Sequence, residues 1–521
     1  MPLLLVMASL MQPFSTTWQH LNDTVLTEYV FNTTTLVFGV GIGTFGLGVS
    51  AAWLSALCEF PGRRFLSWAL LLPMAMPAYI IAYTYSGILD SFGILQILIR
   101  STFGLDFGEY YFPQIRSLGG AVCMLSLVLY PYVYLLARVA FAGQSLTTLE
   151  SSQNLGRGPW NSFLFVSLPL ARPAIIAGLS LAIMETLADY GTVSYFGVNT
   201  FTTGIFRTWH GLGELVTAAQ LCAFLLLFVF ALMLVERESR NKLRYYQNFT
   251  YTKTKSIVLK KWHAVGAVIL LSFPIIMGFL LPATQLAVWA INHWRKIEKV
   301  EFFYLLLNTI ILAAAASVLC LVLALFLSYV KRRFGEQREL VQTEIIKLGY
   351  AVPGTVIAVG VMLPAGWLDQ QINELSVQVI DESFGLIFSG TLGILLFAYL
   401  ARFLSISLQA IDSGMSTIKM NLDESALSLG ASPSHLLTRI HLPMLRPSLF
   451  TALLLVFVEV LKELPITLIL RPFNFNTLAI RTYELASEEQ LMDAALPALS
   501  IVAIGLIPVL LITRIIIQDK N

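Results

Sequence analysis

Four carboxylates stand in stretches that are otherwise almost free of charge. Glu185 and Asp189 are four positions apart, as are Glu459 and Glu463. On a helix that spacing would put each pair on one face as an acidic stripe. Oxygen donors of this kind suit a hard cation better than an apolar solute. Glu185 lies 12 residues beyond Pro173 and Glu459 lies 12 beyond Pro447. A rise of about 1.5 Å per residue then sets each roughly 18 Å along its helix, near the centre of a hydrocarbon layer about 30 Å thick. A charge there costs about 2.5–3.5 kcal/mol, so such groups face a cavity or a partner. The first reading makes Glu185, Asp189, Glu459 and Glu463 a substrate pathway, with Glu185 and Glu459 as transient metal ligands. Two others stay open beside it. The carboxylates could pair inside a bundle with Lys462, Arg172 or Arg446, or they could be the proton or ion sites of a secondary transporter.

Nothing in the chain supports catalysis. It lacks a GxxxxGK[ST] phosphate loop and has no Gly-Lys dipeptide at all, so ATP hydrolysis belongs to a separate protein if it is involved. The six histidines are scattered, and Cys58, Cys123, Cys222 and Cys320 sit singly in or beside apolar runs without metal-ligand or pairing spacing. They read as packing residues.

The elements that carry these groups are membrane helices. Of the 521 residues, 57% are hydrophobic and 12% charged, and the mean hydropathy is +0.75. This composition excludes a soluble globular protein. Lysine plus arginine number 33 against 31 acidic residues, which gives nucleic acid binding no support. Apolar segments fall near 1–12, 33–58, 65–88, 118–142, 173–195 and 214–235, and then near 263–288, 303–330, 344–366, 384–411, 447–470 and 491–516. The first is short of the roughly 20 residues that a span needs and reads as a clipped helix.

The chain repeats itself. TTLESSQNLGRGPWNSFLFVSLPLARPA from Thr147 matches NLDESALSLGASPSHLLTRIHLPMLRPS from Asn421 at an offset of 274, and the register continues through Glu185 and Glu459 to Arg207 and Arg481. Upstream, Asn32-Thr33 answers Asn308-Thr309 and Pro77 answers Pro353 at an offset of 276. The fold expected is therefore an all-α polytopic membrane protein of about 12 transmembrane helices. It has two tandem six-helix halves, residues 1–240 and 263–521, joined by a basic linker at 241–262. With an even number of spans per half, a pseudo-two-fold axis along the membrane normal would relate them.

Arg63 and Arg64, the linker, and Lys331 to Arg333 all fall on one side of this topology, which the positive-inside rule makes the cytoplasm. Both termini and both copies of the repeated loop, about 147–173 and 421–447, would lie there too. The acidic loops with Asp90, Asp106 and Glu109, and with Asp369, Glu374, Asp381 and Glu382, would face outward.

The loop reads as helix, turn, helix. Thr147 with Glu150, and Asn421 with Glu424, have capping-box spacing. Gly156 and Gly430 suit a left-handed residue that closes the first short helix. Pro159 and Pro433 then open a second one, with Gly158 and Ser432 as N-caps. Apolar residues such as Trp160, Phe163, Leu436 and Leu437 exceed what a solvated loop needs and imply a docking partner.

Glu150-Ser151-Ser152, Gly156, Val166 and Leu168-Pro169, with Glu424-Ser425-Ala426, Gly430, Ile440 and Leu442-Pro443, resemble the EAA signature of inner-membrane permeases in binding-protein-dependent ABC importers. Serine replaces the usual alanine in both copies, a sterically mild change. The fused layout, ETLADYGTVSYFG after the first copy, and EVLKELPITLILRP with TLAIRTYELA after the second, are most similar to the ferric-iron permeases of that superfamily. The resemblance implies that Glu150, Gly156, Pro159, Leu168 and Pro169, and Glu424, Gly430, Pro433, Leu442 and Pro443, dock ATPase subunits. It implies two copies of that ATPase, which would use ATP and magnesium while this chain binds no cofactor. It also implies a periplasmic binding protein that delivers ferric iron, and a bacterial inner-membrane location. Fused thiamine permeases share the layout, so another cargo stays open.

Overall fold

The computed structural model describes residues 2–144, 152, 156, 158–241, 257–295, 298–334, 346 and 349–518. Apart from a two-residue pairing, Cys58–Glu59 alongside Ile257–Val258, the described residues form helices and their connections. Nine of the described helices are long and apolar enough to cross a membrane, or ten if Pro433–Met444 and Arg446–Leu461, bent by 75°, count as one. The chain is an all-α polytopic membrane protein.

The twelve expected spans are not all of that kind. The segment expected at 65–88 is a helix Arg63–Ala69, a 3-10 turn Leu72–Ala75 and a helix Ala78–Leu89, because Pro73 and Pro77 lack the amide hydrogen that a continuous helix requires. The segment expected at 344–366 is broken at Pro353: residues 349–351 are helical, and a new helix runs from Gly354 to Ile380, whose second half, WLDQQINELSVQ, is polar. Residues Pro2–Met11 form a short apolar helix.

The chain divides into two compact units, one of Pro13–Arg295 with Tyr483–Val502 and one of Met1–Gln12 with Lys296–Thr482 and Ala503–Asn521. Each contains the same three-helix core. In the N-terminal unit Leu26–Leu57 packs on Leu118–Ala142 and Leu168–Ala188, which also pack on each other. In the C-terminal unit Lys299–Phe334, Leu392–Thr417 and Arg446–Leu461 do the same. Small residues bring these backbones together, as expected where lipid gives helices no hydrophobic reason to associate. A Cβ on Gly43 would lie 2.3 Å from Ser126 Oγ, and Ala313, Ala316, Cys320 and Ala324 are all fully buried.

The compact units do not follow the sequence repeats 1–240 and 263–521. Pro2–Ala8 packs on Gly354–Ile380 in the C-terminal unit, where a Cβ on Gly360 would meet the Pro2 carbonyl oxygen at 2.9 Å. Trp262–Ile275 and Leu281–His293 pack in the N-terminal unit against Leu26–Leu57 and Ala78–Leu89. Each repeat thus lends its first apolar segment to the unit built on the other.

The end of the basic linker is fixed in the same unit. Leu259 N–H donates to the Glu59 carbonyl at 2.9 Å, extending the short strand pair. Next to it Arg63 donates to the carbonyls of Ser55 and Ala56, both at 2.9 Å, and so caps the C-terminus of Leu26–Leu57.

Candidate coupling loops and membrane carboxylates

In the second copy of the loop a helix runs from Met420 to Ser428, with Lys419 at the N-cap and no side-chain cap. The expected Asn421–Glu424 capping box is absent, because the helix starts ahead of Asn421. The C-terminus closes as a Schellman motif. Ala431 N–H reaches the Ala426 carbonyl and Gly430 N–H reaches that of Leu427, both at 3.0 Å, and Gly430 has φ 84°. Ser432 then accepts from His435 N–H at 3.3 Å, and Pro433 opens the next helix.

In the first copy Thr147 and Glu150 lie outside the described residues. Gly156 again has φ 83°. Pro159–Ser162 is helical, with the Gly158 carbonyl accepting from Ser162 N–H at 2.9 Å.

Both copies then pass through a π-turn, Phe163–Ser167 and Leu437–His441. Leu168 N–H bonds back to Phe163 and Leu442 N–H to Leu437, five residues each. In each the next residue is a proline, Pro169 or Pro443, which has no N–H for the ordinary four-residue bond. The copies then diverge. The first runs on to Ala188, whereas the second bends by 75° around Leu445.

Asp423, Arg332 and His441, to which the sequence reading gave no part in the loop, hold the second copy in place. Asp423, buried, takes Arg332 Nε on Oδ2 at 2.6 Å and His441 Nε2 on Oδ1 at 2.9 Å. Arg332 also donates to the carbonyls of Met415 at 2.7 Å and Lys419 at 3.4 Å. From one turn earlier, the Tyr329 hydroxyl donates to the Pro433 carbonyl at 2.8 Å. Lys331 pairs with Asp412 at 3.0 Å. The end of Lys299–Phe334 is therefore bonded to both short helices of the loop. Burial would raise the Asp423 pKa, but the bonds from Arg332 and His441 outweigh it and hold the carboxyl below the usual aspartate value. In the first repeat Ser167 stands where the second has His441.

The apolar surface of the loops also differs from expectation. Leu436 is buried and Phe163 packs on Trp53 at a centroid distance of 4.6 Å. The side chains that project are instead Leu164 and Phe165 in the first copy and Met420, Leu422, Leu427 and Leu429 in the second, Leu429 being 89% exposed.

The four membrane carboxylates do not form two stripes. Leu168–Ala188 ends before Asp189, whose backbone is extended, and Arg446–Leu461 ends before Glu463 because Pro465 starts a new helix. Asp189 instead holds the first turn of the short helix Gly191–Tyr195, accepting from Thr192 N–H at 3.1 Å, Val193 N–H at 3.2 Å and the Thr192 hydroxyl at 3.0 Å. Glu463 forms a buried pair with Arg402 at 2.8 Å and accepts from Ile466 N–H at 3.1 Å. Glu459 lies 2.8 Å from Lys462. Glu185 is half-buried and has no ion pair among the described residues. The partner of Glu463 is thus Arg402, not Arg172 or Arg446. No group of three or more His, Cys, Asp or Glu that could hold a metal ion occurs among the described residues.

Residues 320–519 match the family described as the binding-protein-dependent transport system inner membrane component. Over 94% of its length the chain is 25% identical to the Fe(3+)-transport system permease protein FbpB 2 of Haemophilus influenzae, covering 90% of that protein. It is also 29% identical over 152 residues to the molybdenum transport system permease protein ModB of Escherichia coli, which is 29% of this chain and 63% of the relative. The Haemophilus influenzae ModB is 27% identical over 197 residues, 36% of this chain and 83% of the relative. Residues 320–519 thus carry the inner-membrane permease domain of binding-protein-dependent transport systems, and the similarity to a permease runs over nearly the whole chain.

Duplication also marks the far end of the permease. Asn32 donates to the Asn199 carbonyl at 2.9 Å and Thr33 Oγ1 accepts from Phe201 N–H at 3.3 Å. In the other unit Asn308 donates to the Asn476 carbonyl at 3.3 Å and Thr309 Oγ1 accepts from Leu478 N–H at 2.8 Å. The repeated Asn-Thr pair therefore ties down, in each unit, the loop that follows the carboxylate-bearing helix.

Proposed function

We propose that this permease is the membrane subunit of an ATP-driven importer for ferric iron, which a periplasmic binding protein delivers. Its two loops, around Gly156 and Gly430, each engage one copy of a separate ATPase from the cytoplasmic side, where both termini also lie. The observation that carries this reading is the pair of left-handed glycines 274 positions apart, each followed by a proline-opened helix and a π-turn. A loop shaped twice in the same way, with Leu164, Phe165, Leu422 and Leu429 projecting, presents rigid apolar surface to a partner. A secondary transporter has no need of it.

Within this reading Glu185 and Glu459 meet the passing cation. Oxygen ligands suit ferric iron, and Glu185 has no competing cation among the described residues. The same machinery carrying another substrate is the second reading, favoured by the similarity to molybdenum permeases. Purification of the chain with its ATPase, followed by uptake into proteoliposomes of ferric iron and of molybdate from loaded binding proteins, separates the two. ATP-dependent entry of iron alone supports the first reading, and entry of molybdate alone supports the second.

A further inference from the structure

Arg207 and Arg481 occupy matched positions in the two repeats, yet they face different partners. Arg481 Nε lies 3.4 Å from a carboxylate oxygen of Glu301. Arg207 has no carboxylate at ion-pair distance among the described residues. Its Nη2 donates to Asn199 Oδ1 at 3.1 Å, and the Asn199 amide donates in turn to Glu28 at 3.0 Å, so Asn199 stands between Arg207 and Glu28.

Arg207 opens onto a cavity of about 260 Å³ whose walls include Tyr190, Ser194, Asn199, Phe206 and His210. The walls are fixed. Tyr190 is buried, with its ring 4.7 Å from Phe206 and 5.8 Å from Tyr483, and the Tyr483 hydroxyl donates to Ser194 Oγ at 2.9 Å. The cavity thus combines a guanidinium, an imidazole, an amide and hydroxyl groups, and no acidic residue lines it among the described residues.

We propose that this cavity is an anion site that binds a small oxyanion or carboxylate. A guanidinium offers parallel N–H donors that match two oxygens of either group, and a rigid aromatic wall lets it do so without reorganising. The helix Leu215–Asn241 begins just past the cavity and runs 27 residues toward the linker, roughly 40 Å. The site therefore lies at the end of its unit remote from the linker, the side at which a delivered cargo arrives if the linker is cytoplasmic. The anion has two possible sources, a free oxyanion such as phosphate or the carboxylate of an organic acid that carries ferric iron. Only the second source rests on the ferric reading.

Trp209 reports on the site, because its ring lies 5.5 Å from that of His210. The purified full chain is titrated with inorganic phosphate, citrate and ferric citrate while tryptophan fluorescence is followed. A saturable change is expected, weakened at least tenfold in Arg207→Ala, weakened by less in Arg207→Lys, which keeps the charge but loses the parallel donors, and altered less than twofold in Arg481→Ala. Arg207→Lys also controls for folding, since it keeps the charge and most of the side chain. Saturation by phosphate with no response to either citrate form supports the site with a free oxyanion as its ligand. Saturation by citrate and ferric citrate without phosphate supports it with a chelate. Absence of a saturable change with all three anions, or equal loss in Arg207→Ala and Arg481→Ala, overturns the proposal whatever the transported cargo.

Discussion

Arg332 and His441 grip the two oxygens of one carboxylate, that of Asp423, at 2.6 Å and 2.9 Å. Arg332 belongs to a membrane-spanning helix and Asp423 to the loop beneath it, so a load on the loop reaches the bundle through a short, charge-assisted bond rather than through flexible chain. Removing one member of a buried pair leaves the other charge uncompensated, at a cost of about 3 kcal/mol or more. Arg332→Ala is therefore expected to free the Met420–Ser428 helix, raising hydrogen exchange there by at least tenfold, while the thermal transition of the whole chain moves little. Unchanged exchange would mean that the loop is held by other contacts.

The same carboxylate sets a pH limit. Its pKa is depressed in the folded chain, so its stabilising contribution is complete above the unfolded aspartate value of about 3.9 and is lost as pH falls through the folded value. Protease cleavage within 419–441 is expected to stay constant from neutral pH down to about 4 and to rise below that. In Asp423→Asn the acid-induced rise should vanish. A rise already present at pH 6 in the wild type would assign the change to another group.

Glu463 and Arg402 are expected to behave as a structural unit. Both are almost fully buried, 6% and 4% exposed as side chains, and a Cβ on Gly354 would lie 2.4 Å from Arg402 Nη1, which leaves no room for rearrangement. Glu463→Gln or Arg402→Met alone is expected to cost about 3–5 kcal/mol, and the double replacement much less. Thermal unfolding in detergent measures this, and additive losses would contradict a coupled pair.

Glu185 and Glu459 are expected to act differently from that pair. Glutamine keeps size and hydrogen bonding but removes charge, so Glu185→Gln with Glu459→Gln should leave assembly and basal ATP hydrolysis near normal while abolishing iron uptake. Loss of the assembled complex would instead assign both carboxylates to holding helices together, a role that the Glu459–Lys462 contact at 2.8 Å, local to one helix end, does not itself supply.

What could be read from the sequence divides by range. The left-handed conformations of Gly156 and Gly430 and the opening of a helix at Pro433 were legible, because backbone sterics and a missing amide hydrogen are properties of the residue itself. The broken helix at Glu463 was legible in principle from Pro465, but spacing alone suggested a stripe. The Asn421–Glu424 capping box fitted its local pattern and yet did not form, because the helix begins at Met420, on the loop that Arg332 holds from 91 residues away. Arg332, Asp423 and His441 could not be connected in advance, since no period links positions on three separate elements. The duplicated Asn-Thr pair was visible as a repeat, but its task of fixing Phe201 and Leu478 was not. The exchange of first helices was likewise hidden, since apolar length gives the existence of a span but not its neighbour.

Coupling through the two loops is tested by the ratio of iron taken up to ATP hydrolysed. A valine at Gly156 or Gly430 would have to hold a left-handed backbone that β-branched residues avoid, with strain of about 1–3 kcal/mol in the turn between the short helices. The Gly156→Val, Gly430→Val double mutant, purified with its ATPase and reconstituted in proteoliposomes with iron-loaded binding protein, is expected to retain the folded bundle and to hydrolyse ATP. Its iron uptake per ATP should fall at least tenfold. An uptake ratio equal to that of the wild type, in a complex containing both ATPase copies, would show that these loops are not the coupling elements.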